Sequence, residues 1–160
     1  MTPAERDALR QRYQFCCGYC GISETDVGAA LTVDHFQPIS RAGEDIPANW
    51  VYSCFACNRA KGDYWQPDSP HRILHPLRDN LREHITEQED STFLGLTDTG
   101  RFHIQHLRLN RPALVAHRVQ VWQRTREMLR HAGILRGLAD VQRELHALRQ
   151  LLERQLPDDA

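Results

Sequence analysis

The chain has no apolar run near the roughly 20 residues that a membrane-spanning helix needs, so neither a span nor a membrane partner is expected. Its first residues, Met1-Thr2-Pro3-Ala4-Glu5-Arg6-Asp7, are polar and mixed in sign. They lack the apolar core of a secretion signal, which makes the cytoplasm the expected location. Net charge is also missing: the formal sum is −1, which excludes a basic field over the whole surface. Lysine is nearly absent, with Lys61 alone among 20 basic residues, the others being arginine. Internal repeats and low-complexity tracts are absent too, which excludes a solenoid or a long disordered linker.

What is present is an ordinary soluble composition: 160 residues, 41% hydrophobic and 26% charged. That length suits one compact domain, or a small module with a helical extension. Charge is unevenly spread. Residues 101–130 carry seven arginines against one acid, whereas residues 76–100 carry six acids against two arginines. A near-neutral chain of this kind can still present a basic face, although arginines on solvated helix faces give the same count.

Five cysteines in a reducing compartment are not a disulfide framework. Four of them form two C-x-x-C pairs, Cys17-Gly18-Tyr19-Cys20 and Cys54-Phe55-Ala56-Cys57, separated by 33 residues. Two such pairs supply four thiolates for a tetrahedral Zn²⁺ site, each pair folding back as a knuckle. A closed four-cysteine site leaves no position for substrate, so its role is structural, and its binding energy adds to folding. Four reduced core cysteines, or a redox pair, are the alternatives. Cys16 is left over and reads as a fallback ligand or an inert buried thiol.

Between and after the knuckles the order of residues is informative. Leu31-Thr32-Val33 leads as a β-like run into Asp34-His35. A loop marked by Pro38, Gly43 and Pro47 ends at Asn49, and Trp50-Val51-Tyr52-Ser53 forms a second β-like run. The second knuckle continues as Asn58-Arg59-Ala60-Lys61-Gly62-Asp63. Residues 17–63 thereby resemble the HNH endonuclease family, whose pattern is a zinc knuckle, D-H, a loop ending in asparagine, and C-x-x-C-N-x-x-K-G. Leu109-Asn110-Arg111-Pro112-Ala113-Leu114 resembles, more loosely, a helix start found in family members of this size.

The resemblance implies an α+β fold: a ββα-metal, treble-clef-like, zinc-stabilised module, here with an added β-hairpin and two C-terminal helices. Residues 1–66 would form the nuclease core, and residues 67–160 a hairpin and helical extension packing on the core or on a partner. His35 is the expected general base, since imidazole as a class titrates near neutral pH. Asp34 and Asn58 resemble the family's metal ligands, and Asn49 the middle asparagine that holds the loop and the orientation of His35. Arg59 and Lys61 are expected at the phosphates. Asparagine instead of histidine at the third named position makes an HNN variant. An oxygen-only ligand pair favours Mg²⁺ or Mn²⁺ over softer ions. The implied activity is hydrolysis of phosphodiester bonds in nucleic acid, DNA first, as the effector of an antiviral defence system in one setting. A catalytically inactive zinc-finger-like nucleic-acid-binding module is the alternative.

Elsewhere the pattern predicts a helix over 3–13 capped by Thr2, and a helix within 80–88. It also predicts a hairpin of 92–96 with 101–105 around Thr97-Asp98-Thr99-Gly100, and a helix from Asn110 to about His131. A last helix after Gly133 carries Ile134, Leu138, Val141, Leu145, Leu148 and Leu152 at heptad-like spacing. That seam reads either as packing against the preceding helix or as an interface with a second copy or a larger partner. His71, His75, Asp79 and His84 are candidates for a substrate wall.

Overall fold

Thr2 opens the first helix, α1 (Pro3–Arg12), with a capping box: its hydroxyl accepts from the Glu5 amide, and the Glu5 carboxylate accepts from its own. Ser23 repeats the device at the one-turn α2 (Glu24–Val27). Strand β1 (Thr32–His35) then pairs antiparallel with β2 (Trp50–Ser53), setting Asp34 opposite Val51 and His35 opposite Trp50. Cys54 is the N-cap of α3 (Phe55–Lys61), which Gly62 ends at φ +56, a value that favours glycine. Helix α1, both strands and α3 match the expected pattern, with α3 starting three residues earlier than expected, whereas α2 has no counterpart in it.

The loop joining β1 to β2 closes on itself at Gly43. A Cβ there would lie 1.9 Å from the Gln37 carbonyl oxygen, so only glycine fits. In the core, β2 is wholly buried, and Trp50, Val51 and Tyr52 pack with Leu9, Tyr13 and the knuckle cysteines. Ile73, Ile104, Leu107, Leu109 and Leu114 join the same cluster, so residues beyond 66 complete the core of the module.

The computed structural model describes residues 1–155, with side chains through residue 147. The chain divides into two compact units, residues 1–116 and 117–160. No helix among the described residues is long and apolar enough to cross a membrane.

The α+β architecture with its added hairpin and two C-terminal helices is present, but the placement differs from the pattern. Only α4 (Leu81–His84) of the expected 80–88 helix forms. The hairpin pairs β3 (Ile85–Glu87) with β4 (Phe93–Gly95). Thr97 does not turn a hairpin. Its hydroxyl accepts from the Gly100 amide and caps α5 (Asp98–His106). Threonine followed by an acid serves a turn and a helix start equally well, and here the cap prevails. Nor is Asn110 a cap. Its amide clamps β4, accepting from Phe93 N and donating to Phe93 O.

The last helix, α6 (Pro112–Gln155), starts at the expected proline but runs through Gly133 without a break. Glycine weakens a helix by only about 1 kcal/mol, and no proline lies near Gly133 to stop it. A continuous helix cannot fold its seam onto its own first half, so packing within the chain against residues 111–131 is ruled out. Ile134, Leu138, Val141 and Leu145 are each exposed. The side chains of Leu148 and Leu152 lie outside the described residues.

Two buried histidines accept from the backbone of the connection after α3, His103 from the core helix α5 and His75 from within the connection itself. The Leu74 amide donates to His103 Nδ1 at 3.0 Å, and the Leu77 amide to His75 Nδ1 at 3.1 Å. Burial pushes both rings below the ordinary histidine range, His75 to about 4 and His103 to about 3. Each is neutral when folded and takes up a proton on unfolding below about pH 6.5. Their contribution is therefore complete above pH 6.5 and declines as pH falls towards 4 and 3. The melting temperature should drop between pH 7 and pH 5 by more in the wild type than in His103→Asn, which keeps an acceptor but does not titrate. Equal drops in calorimetry would refute this.

Candidate metal centre and active site

The knuckles are built by backbone turns. The Gly21 amide donates to Cys17 O at 2.8 Å with Gly21 at φ +77, and the Asn58 amide donates to Cys54 O at 3.0 Å. They bring Cys17, Cys20, Cys54 and Cys57 together, all buried, with their sulfurs within 4.8 Å of one another. Cys20 Sγ and Cys54 Sγ are 3.7 Å apart. A tetrahedron with Zn–S bonds of about 2.3 Å has edges of about 3.8 Å, so the donor set fits zinc. Hydrogen bonding among the four thiols pushes Cys17 and Cys57 up and Cys20 and Cys54 down, so the cluster shares its protons unevenly, and a bound cation would replace those that remain. Cys16 stands apart, half-buried, with its thiol on Gln14 O.

Arg111 joins this cluster from outside the knuckles. Its guanidinium reaches Cys57 Sγ and Cys54 Sγ at 3.8 Å and Cys20 Sγ at 4.0 Å. Four thiolates around a divalent ion carry a net charge of about −2. A half-buried guanidinium offsets part of it. The sequence marked Arg111 only as part of a helix start.

A second centre lies at the end of β1. Asp34, His35, Pro38, Ile39, Asn58 and Gly62 border one open pocket of about 260 Å³. Asp34 is 5% exposed, and its two oxygens are both engaged. Tyr19 Oη donates to Oδ2 at 2.5 Å and Lys61 Nζ to Oδ1 at 3.0 Å. Burial pushes its carboxyl up, against the opposing pull of the Lys61 ammonium and the Tyr19 hydroxyl. Tyr19 belongs to the first knuckle, so the cysteine site and this carboxylate share one rigid turn.

His35 Nε2 lies 2.8 Å from Asp45 Oδ1, which also accepts from Trp50 Nε1 at 2.7 Å. The hydrogen bond from His35 holds the Asp45 carboxyl below its ordinary range. A carboxylate can only accept, so Nε2 carries a proton, and in the neutral ring Nδ1 then holds the lone pair. Asn49 does not touch the ring. Its amide accepts from Gln37 N at 2.8 Å and donates to Gln37 O and Glu44 O, both at 2.9 Å. It holds the loop that carries Asp45. Asp45 was missed because an acid in a polar loop gives no signal until the loop is closed.

Asn58 Nδ2 is directed to Thr32 Oγ1 at 3.2 Å and Val33 O at 3.5 Å, so its carbonyl oxygen is the atom that could take a metal. Each oxygen of Asp34 retains a second lone pair. Asp34 and Asn58 are oxygen donors bordering the same pocket, and such donors could hold a hard divalent ion. Arg59 is exposed beside Asn58. Lys61 is not at the surface, and its expected phosphate contact is corrected. It is 2% exposed, and its ammonium also donates to His35 O at 2.8 Å, because Asp34 is a buried partner within reach. None of His71, His75, Asp79 and His84 borders the pocket. Asp79 pairs with Arg72, His71 stacks on Phe102, His84 bonds Thr97, and His75 packs edge-on against Phe36.

Residues 17–64 match the family model described as HNH endonuclease. No curated protein and no solved structure matches the chain.

Two stability outcomes follow. Lys61→Met leaves a buried carboxylate unpaired and should cost about 3–5 kcal/mol in denaturant unfolding. A loss under about 1 kcal/mol would mean that the pair is not buried in solution. Cys54→Ala should abolish stoichiometric zinc and the cooperative melt, whereas Arg111→Ala should keep the fold at high zinc and release the metal sooner to a competing chelator. Unchanged zinc retention in both would refute the four-thiolate assignment.

Proposed function

Because residues 17–64 match the HNH endonuclease model, we propose that the chain is a metal-dependent endonuclease that hydrolyses phosphodiester bonds in nucleic acid, with DNA as first substrate. The observation that carries the reading is the convergence of Asp34, His35 and Asn58 on one open pocket, with His35 oriented by Asp45. His35 Nδ1 takes the proton from the attacking water. Asp45 is a positioning residue that keeps the tautomer, and Asn49 holds the loop that delivers Asp45. Asp34 and Asn58 would hold the divalent ion, which when bound supplies charge neutralisation at the phosphoryl and leaving oxygens. Arg59, exposed next to Asn58, meets a flanking phosphate.

An inactive nucleic-acid-binding module needs no imidazole locked in one tautomer beside two oxygen donors, so the intact set favours the enzyme. The exposed heptad-like residues of α6 fit self-association, and a monomeric mass by light scattering would remove that part of the reading. A defence-effector role in the cytoplasm is assigned on family resemblance alone.

Plasmid nicking in Mg²⁺ tests the proposal. His35→Ala should lower the rate by about 10²–10⁴-fold with zinc content unchanged. Asp45→Asn should lower it at least about tenfold and shift the pH–rate profile, because the amide can present a donor to Nε2 and favour the wrong tautomer. Equal rates for wild type and His35→Ala would overturn the enzyme reading.

A further inference from the structure

On the outer side of α3 lies a groove of about 770 Å³, formed with the end of α5 and the turn that follows it. Three arginines, Arg59, Arg108 and Arg111, line it together with Gln105 and His106, and no carboxylate does. Arg59 and Arg108 are both exposed, and neither pairs with an acid among the described residues. Arg111 is spent on the cysteine sulfurs, which shields the groove from their negative charge. Phe55 stands at the groove with 68% of its surface exposed, the first residue of a helix whose inner face is fully engaged.

The turn places Arg108 deliberately. Leu107 and Leu109 on either side are buried, and Arg108 sits at φ +51, a conformation that a β-carbon disfavours. Two core anchors one residue apart on each side therefore turn the guanidinium outward. Asn58 faces the catalytic pocket while Arg59, the next residue of α3, lines the groove, so the two sites adjoin along one helix.

We propose that this groove binds the single-stranded flank of the nucleic acid being cut, with Arg59 and Arg108 on successive phosphates and an unstacked base on Phe55. The proposal rests on the nuclease reading for the polarity of its ligand. Guanidinium groups without internal partners complement a phosphate chain, and an aromatic face beside them takes a base of any identity. A duplex keeps its bases stacked and offers nothing to Phe55, which distinguishes a single strand as the occupant.

The test is fluorescence anisotropy with the zinc-loaded full chain, no added Mg²⁺, and a short dye-labelled single strand or its duplex. Arg59→Gln and Arg108→Gln should each weaken single-strand binding about threefold or more and lower the salt slope by about 0.7. Phe55→Ala should weaken the single strand about fivefold or more and leave the duplex unchanged. Zinc content and melting of each variant confirm the fold. Wild-type affinity in all three folded variants overturns the groove, and an equal loss on duplex in Phe55→Ala overturns the single-strand assignment. Wild type that binds but never cleaves fails the nuclease reading alone. Wild type that cleaves, with variants binding as it does, fails the groove alone.

Discussion

The buried contact of Tyr19, Asp34 and Lys61 is where three parts of the molecule meet. Tyr19 comes from the first cysteine turn, Asp34 from β1 and Lys61 from the last turn of α3. Each group would be costly to bury alone, because a carboxylate and an ammonium removed from water need partners of opposite charge and complementary hydrogen bonding. Together they fix the distance between knuckle, strand and helix. The cysteine cluster does the same at the other end of α3, since Cys54 caps that helix and Cys57 lies in its first turn. Helix α3 is therefore held at both ends, and Asn58, between them, is placed relative to His35. Because one half of this restraint needs a metal and the other needs both charges, the site's geometry is sensitive to either.

Much of this was legible in the sequence where chemistry and spacing coincide. Two C-x-x-C pairs need little tertiary knowledge to be read as one site, since thiolates at that spacing have few other joint uses. Asp34 and His35 at a strand end, and Asn58 just inside a helix, also came from local pattern. What could not be read is what depends on closure in space. Asp45 orients His35 only because Gly43 lets the loop fold back and Asn49 pins it. Lys61 looked like a surface cation because its sequence neighbours are polar, and its burial depends on Asp34, 27 positions earlier. Arg111 reaches sulfurs more than fifty residues away.

The errors in the second half have one cause. Thr97-Asp98-Thr99-Gly100 and Asn110 carry signals shared by turns and helix caps. Propensity does not decide between them, and the packing of Leu107, Leu109 and Ile104 does. Gly133 misled in the opposite sense, because a glycine without a following proline or capping partner lowers helix stability without ending the helix.

The burial of Lys61 reaches beyond folding. It is the chain's one lysine, so arginine carries the fixed positive charge along the exposed surface. Guanidinium stays protonated throughout the physiological pH range and is not a substrate for acetyl transfer. The side-chain charge available to meet a polyanion is therefore closed to the commonest lysine-directed modifications. Amine-reactive cross-linkers and dyes would likewise pass over the folded chain's side chains, whereas reagents for dicarbonyl capture of arginine would find them.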